Sequence, residues 1–287
     1  MNFIKTKDDA GNEIKLPYED TGSGKPVVFI HGWPLSKEMW EYQVVPLAQR
    51  GIRCITYDRR GFGKASRPWT GYDYDTLASD LKALLDQLDL QDVTLVGFSM
   101  GGGEVVRYFS KYGGARVTKA VLLGSITPYM LKTQDNPDGT PEDVFNDITN
   151  HIKDDRIAFF DGFGKAFYGV GFINKPVSTP FLEWSRMLAS VASPKATLDC
   201  AASFSHTDFR NEMSAVTVPT LIIHGDADNI VPIKAAGDIS AKLIPNNQYL
   251  VYAGAPHGLF YTHKEQLNAD LLNFILGSTT ILQNNNA

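Results

Sequence analysis

The sequence predicts an α/β fold: a mostly parallel sheet flanked by helices, with a helical insertion between its later strands. Three observations predict it. Short apolar runs recur, each ending at or just before a glycine, without the strict alternation of a half-exposed strand. Amphipathic helical patterns lie between them, so strand, helix, strand repeats as right-handed βαβ units. From about residue 127 to 213 that rhythm breaks, and it returns afterwards.

The elements follow in order. Residues 26–30 (PVVFI) run into His31-Gly32, and 53–57 (RCITY) into Asp58-Arg59-Arg60-Gly61. Asp75 is placed to cap a helix in which Leu77, Leu81, Leu84, Leu85 and Leu88 recur at helical spacing. Residues 93–96 (VTLV) end at Gly97, and 119–123 (KAVLL) at Gly124. The segment 127–213 carries an aromatic cluster (Phe159, Phe160, Phe163, Phe167, Tyr168) and proline joints, and reads as mostly helical. Its aromatics are expected chiefly in a core, although an insertion over the sheet edge also brings some to a ligand. Strands at 220–223 and 248–252 and helices near 233–243 and 264–276 complete the pattern. The expected organisation is a core of residues 1–126 and 214–277, a helical cap of 127–213, and a polar, disordered tail of 278–287.

Composition narrows the function. The chain has 287 residues, 43% hydrophobic and 21% charged, enough for a sizeable core without staples. A net charge of −5 and the absence of a basic block argue against nucleic acid as a partner. Two cysteines, Cys54 and Cys200, are too few for a disulfide framework or a cysteine zinc site, and are expected as buried thiols. No apolar run approaches the ~18 residues of a membrane span, and residues 1–15 lack the apolar stretch of a signal peptide. A cytoplasmic protein without a membrane partner is expected.

Gly97-Phe98-Ser99-Met100-Gly101 lies between a predicted strand and a predicted helix. A tight turn there lifts a serine hydroxyl above the sheet edge, and Gly97, Gly101, Gly102 and Gly103 let strand and helix approach. Serine needs a base to become a nucleophile. His257, in a small-residue loop after the last strand, occupies the expected place in the order nucleophile, acid, histidine. His151, His206, His224 and His263 are expected as structural or surface residues, and His31 as a brace for its loop. A carboxylate must fix the imidazole. Asp226 and Asp228 both follow the 220–223 strand, and spacing does not choose between them. Two N–H donors must hold the oxyanion. Met100, after the nucleophile, supplies one. Trp33 supplies the other, since Pro34 has no N–H.

Taken with His31-Gly32-Trp33-Pro34-Leu35-Ser36, with residues 57–63 (YDRRGFG) and 67–75 (RPWTGYDYD), and with the glycines through Gly103, these motifs carry a resemblance. The chain resembles an α/β-hydrolase from about residue 3 to 277. More narrowly it resembles the cofactor-free haloperoxidases, or perhydrolases, and their aryl esterase relatives. The resemblance implies Asp228, last in His-Gly-x-x-Asp, as the acid. It implies hydrolysis of small aryl or short-acyl esters through an acyl-serine, with water or hydrogen peroxide as the second substrate and peracid as the peroxide product. It implies no metal and no cofactor, and a homo-oligomer, a trimer or hexamer. Pro34 stands where the family's perhydrolysis-associated proline stands. Family position also suggests Trp33, Ile126, Met130, Phe163, Phe167 and Ile230 as pocket residues, which favours small substrates. Two alternatives stand beside this reading. One is a lactonase or small-lactam hydrolase; the other is a hydrolase-fold ligand receptor with slow turnover.

Overall fold

In the computed structural model, which describes residues 1–277, eight strands form one sheet. They are β1 (Asn2–Lys7), β2 (Glu13–Thr21), β3 (Lys25–Ile30), β4 (Ile52–Tyr57), β5 (Val93–Phe98), β6 (Val117–Leu123), β7 (Thr220–Gly225) and β8 (Asn247–Tyr252). Their order across the sheet is β1-β2-β4-β3-β5-β6-β7-β8. From β4 to β8 all pairings are parallel. The first two strands form an antiparallel hairpin that joins β4 antiparallel. Sequence patterning had not singled out this hairpin. The expected tail, 278–287, lies outside the described residues.

The central strands β5 and β7 are buried at every position, as strands covered on both faces must be. Helices α1 (Glu41–Ala48), α8 (Leu259–Thr262) and α9 (Lys264–Leu276) pack on one face. On the other lie α2 (Tyr74–Gln87), α3 (Met100–Tyr112) and α7 (Gly237–Leu243). Two helix starts differ from expectation. Asp73, not Asp75, caps α2: its extended backbone lets its carboxylate accept the Thr76 N–H at 3.0 Å, while Asp75 sits in the first turn and pairs with Arg107 at 2.7 Å. The helix expected from 233 begins at 237, because residues 232–236 form tight turns and Ala236 leaves helical geometry (φ −114°, ψ −88°).

Between β6 and β7 the chain builds three helices, α4 (Glu142–Phe167), α5 (Thr179–Val191) and α6 (Pro194–His206). Serines 178 and 193 accept the N–H groups that start α5 and α6, and prolines occupy the first turns, where their missing N–H costs nothing. Helix α4 breaks at Asp155 (φ −143°, ψ 90°), whose carboxylate recaps the second half by accepting the Ile157 and Ala158 N–H groups. Most of the aromatic cluster is core: Phe160, Phe167 and Tyr168 are buried. Cys54 and Cys200 are buried free thiols, and burial pushes the Cys54 thiol up to about 12.

What this architecture positions is the carboxyl rim of the sheet. Ile30 pairs with Gly97, Phe98 with Leu123, and Leu123 with Ile223, so the chain leaves β3, β5, β6 and β7 at one level. After β3 the winding runs outward to β4 and then returns to β5 on the other side. The crevice between the ends of β3 and β5 is therefore the topological switch point, where open α/β sheets take ligands.

Candidate active site

Ser99 sits at that crevice, between the last residue of β5 and the first of α3. Its backbone is strained (φ 52°, ψ −118°), a conformation a non-glycine residue holds only when its surroundings enforce it. The enforcement is close packing. A Cβ on Gly97 would lie 2.5 Å from the Gly101 carbonyl oxygen, and one on Gly101 2.6 Å from that of Ile30. Side chains at 102 and 103 would strike Ser125 and Tyr74.

The Ser99 hydroxyl lies 3.0 Å from His257 Nε2. His257 Nδ1 donates to Asp228 Oδ2 at 2.6 Å, so its Nε2 lone pair faces the serine. The imidazole is wedged between the Phe98 ring (centroids 4.9 Å) and the Phe167 ring (4.8 Å, edge-on). Asp228 uses its other oxygen to accept the N–H groups of Ile230 and Val231 at 2.9 and 2.8 Å, which fixes the carboxylate on the loop after β7. Burial pushes that carboxyl up. The facing His257 and His224 more than offset this and hold it well below the usual carboxylate range. Asp226 is exposed and braces the neighbouring loop by accepting the Gly254 N–H at 2.6 Å.

The N–H groups of Trp33 and Met100 find no acceptor among the described residues. Trp33 is the third residue of the loop after β3, and Gly32 lets that loop close on the serine: a Cβ there would lie 3.2 Å from Ser99 Cβ. The Trp33–Pro34 peptide is cis. The indole is held by α4 and α6. Its Nε1–H donates to the Thr197 carbonyl at 3.0 Å, and the rings of Phe159, Phe160, Phe163 and Phe204 surround it at 5.4–6.3 Å. His31 is a buried brace. Its Nδ1–H donates to the Gly32 carbonyl, its Nε2 accepts the Arg59 N–H, and burial together with the Arg59 charge keeps it neutral.

Over Ser99 and His257 opens a cavity of about 150 Å³, walled by Trp33, Ile126, Met130, Phe163 and Ile230. Phe167, expected among them, is not part of that wall. It sits one helical turn beyond Phe163, where its ring supports His257 instead of facing the cavity. The start of α4 adds walls that sequence reasoning missed, Val144, Phe145 and Ile148, with Phe204 from α6 and Thr140 before α4. Their helical spacing was visible as an apolar stripe, but nothing in it told cavity from core. His224, expected as a structural or surface residue, is structural. It is buried at the end of β7, donates from Nε2 to the Val231 carbonyl at 3.0 Å, and lies 3.4 Å from Asp228 Oδ2. Its spacing of four residues from Asp228 was the available signal for that contact.

Chemically, this is a hydroxyl hydrogen-bonded to an imidazole that a carboxylate orients, beside two unengaged N–H groups, at the floor of an apolar cavity. Such an arrangement suits attack on a carbonyl carbon with charge developing on its oxygen. Among the described residues no helix is long and apolar enough to cross a membrane.

Comparison with known proteins agrees with this fold. A model of the alpha/beta hydrolase fold matches residues 25–264. The crystal structure of a bromoperoxidase from Bacillus anthracis is similar at a TM-score of 0.92 and 48% identity, covering 96% of this chain and 100% of that one. A non-heme chloroperoxidase of Kitasatospora aureofaciens is 41% identical over 91% of this chain and 96% of its own. A bifunctional esterase/perhydrolase of Acinetobacter calcoaceticus is 39% identical over 96% of this chain and 99% of its own. This chain therefore belongs to the alpha/beta hydrolase fold family, as an enzyme of its non-heme haloperoxidase and esterase/perhydrolase group.

Proposed function

We propose that this enzyme is a serine hydrolase of small aryl or short-acyl esters that works through an acyl-serine, and that hydrogen peroxide competes with water to release it as a peracid. One observation carries the reading: the unbroken hydrogen-bonded line Ser99–His257–Asp228, with gaps of 3.0 and 2.6 Å, at the floor of an apolar cavity. In this reading residues 127–213 are a cap that supplies the cavity's outer wall.

His257 takes the Ser99 proton as Oγ attacks the ester carbonyl. The Trp33 and Met100 N–H groups hold the oxyanion, and Asp228 stabilises the imidazolium. His257 then protonates the leaving alcohol. In the second half, His257 takes a proton from water or hydrogen peroxide, which attacks the acyl carbon. Collapse returns the proton to Ser99 and frees the acid or peracid. The peracid branch is supported by Pro34 beside Trp33 and by the relative named an esterase/perhydrolase.

The test is turnover of p-nitrophenyl acetate by the wild type and by Ser99→Ala, with and without hydrogen peroxide, reading p-nitrophenol and peracid separately. We expect both products from the wild type and neither above background from the variant. Ester turnover without peracid would remove the perhydrolase half. Turnover that survives Ser99→Ala would remove the acyl-serine.

A further inference from the structure

We infer that the buried ion pair of Arg59 and Glu104 is a positioning device that holds the peptide bearing the Trp33 N–H in the orientation an oxyanion needs. The inference rests on the serine-hydrolase reading and adds to it two residues that touch neither substrate nor triad.

Both side chains are about 1% exposed. Removing two charges from water is costly, and well-packed apolar residues often serve stability as well or better. The contacts of this pair run toward the site. Arg59 Nε donates to Glu104 Oε1 at 2.5 Å, and Tyr57 donates its hydroxyl to Glu104 Oε2 at 3.0 Å. Glu104 lies one turn beyond Met100 on α3, so the guanidinium is anchored to the helix that carries one proposed oxyanion donor. From there Arg59 Nη2 donates to the His31 carbonyl at 2.6 Å, and its backbone N–H donates to His31 Nε2 at 3.0 Å. Occupying Nε2 as an acceptor puts the ring proton on Nδ1, which donates to the Gly32 carbonyl at 3.0 Å.

That last bond is the useful one. The Gly32 carbonyl and the Trp33 N–H belong to one planar peptide and point in opposite directions. The carbonyl also accepts the Leu35 N–H at 3.1 Å. With its oxygen held twice on one side, the peptide is kept from turning its N–H away. The relay thus runs from α3 through Glu104, Arg59 and His31 to the plane of the 32–33 peptide. It couples the two N–H donors, which lie 67 residues apart in the chain, through one buried charge pair.

Two variants test this. Arg59→Lys keeps the charge opposite Glu104, but a single ammonium does not reproduce the planar fork that reaches both Glu104 and the His31 carbonyl. The combined variant Arg59→Met, Glu104→Met, Tyr57→Phe removes the charges and the orphaned hydroxyl at nearly constant volume. For each, kcat and KM on a short-acyl aryl ester, the Ki of a small boronic acid and the Tm would be measured. The boronic acid forms a tetrahedral adduct on the serine and so probes the oxyanion site. We expect kcat to fall about 10²-fold, the boronate Ki to rise by a similar factor, and KM to change less than about twofold. A purely structural pair would shift Tm and leave the boronate Ki in place. Folded variants with wild-type kcat and Ki would overturn the inference. Stoichiometric labelling of Ser99 by a fluorophosphonate separates the two claims. A wild type that neither labels nor turns over ester defeats the functional reading and this inference with it. A labelled, active wild type beside fully active variants defeats only the inference.

Discussion

If the acyl group occupies the cavity above Ser99, the volume of that cavity sets which chain length reacts best. The cavity measures about 150 Å³. An apolar cavity of that size takes a benzene-sized guest, which is roughly 25 Å³ per carbon, so an acyl chain of about five or six carbons fills it. Up to that length each methylene leaves water for an apolar wall, worth about 0.8 kcal/mol or about fourfold in kcat/KM. Beyond it, overpacking reverses the trend. Ile148, on the first half of α4, forms part of the wall. Ile148→Ala removes three carbons and opens roughly 75 Å³ more, so the optimum moves about three carbons longer. The residue is only partly buried, which limits the stability loss to about 2 kcal/mol, the low end for such truncations. The assay is kcat/KM for p-nitrophenyl esters from acetate to decanoate on both proteins, with urea unfolding to show that the variant is folded. An unchanged optimum in a folded variant would refute the reasoning, because the acyl chain would then lie elsewhere.

Further predictions concern two buried carboxylates. Asp228→Asn should lower kcat by about 10⁴, since an amide no longer fixes the His257 tautomer. Because the native carboxyl lies below its ordinary value, the stability it gives over the Asn variant should be full at neutral pH and shrink as pH falls below about 4; denaturation midpoints at pH 7 and pH 3 check this. Asp58 behaves in the opposite sense. It accepts the Lys37 and Lys64 N–H groups, but burial and the nearby Glu38 push its carboxyl up to about 6. Ionising it therefore disfavours the fold. Relative to Asp58→Asn, the wild type should lose up to about 3 kcal/mol as pH rises from about 4 to about 6, read from paired unfolding curves.

The parallel core was legible because its strands are short, apolar and punctuated by glycine. The N-terminal hairpin was not picked out, although Ile14 and Leu16 alternate with exposed Glu13 and Lys15, because its edge position weakens the apolar signal. The serine turn could be recognised because its mechanics require glycines at fixed places, and the packing around Gly97 and Gly101 gives the reason. Phe167 was misplaced because the same helical spacing serves a cavity wall and a support for His257. The contact of Arg59 with Glu104 joins residues 45 apart and leaves no periodic trace, so only the folded chain reveals it.

Residues 127–213 are inserted between β6 and β7, and those two strands are hydrogen-bonded neighbours. The chain leaves the rim past Leu123 and closes on itself where the Phe209 N–H donates to the Pro128 carbonyl at 2.8 Å, before it runs back to the start of β7. A segment with adjacent ends is exchangeable: it can lengthen, shorten or be replaced while every strand keeps its partner. Descendants of this fold can change what they admit without rebuilding the machinery beneath. One condition limits that freedom. Any replacement must again supply a carbonyl and a ring of aromatics for Trp33, because the loop that carries it borrows its rigidity from the part most free to vary.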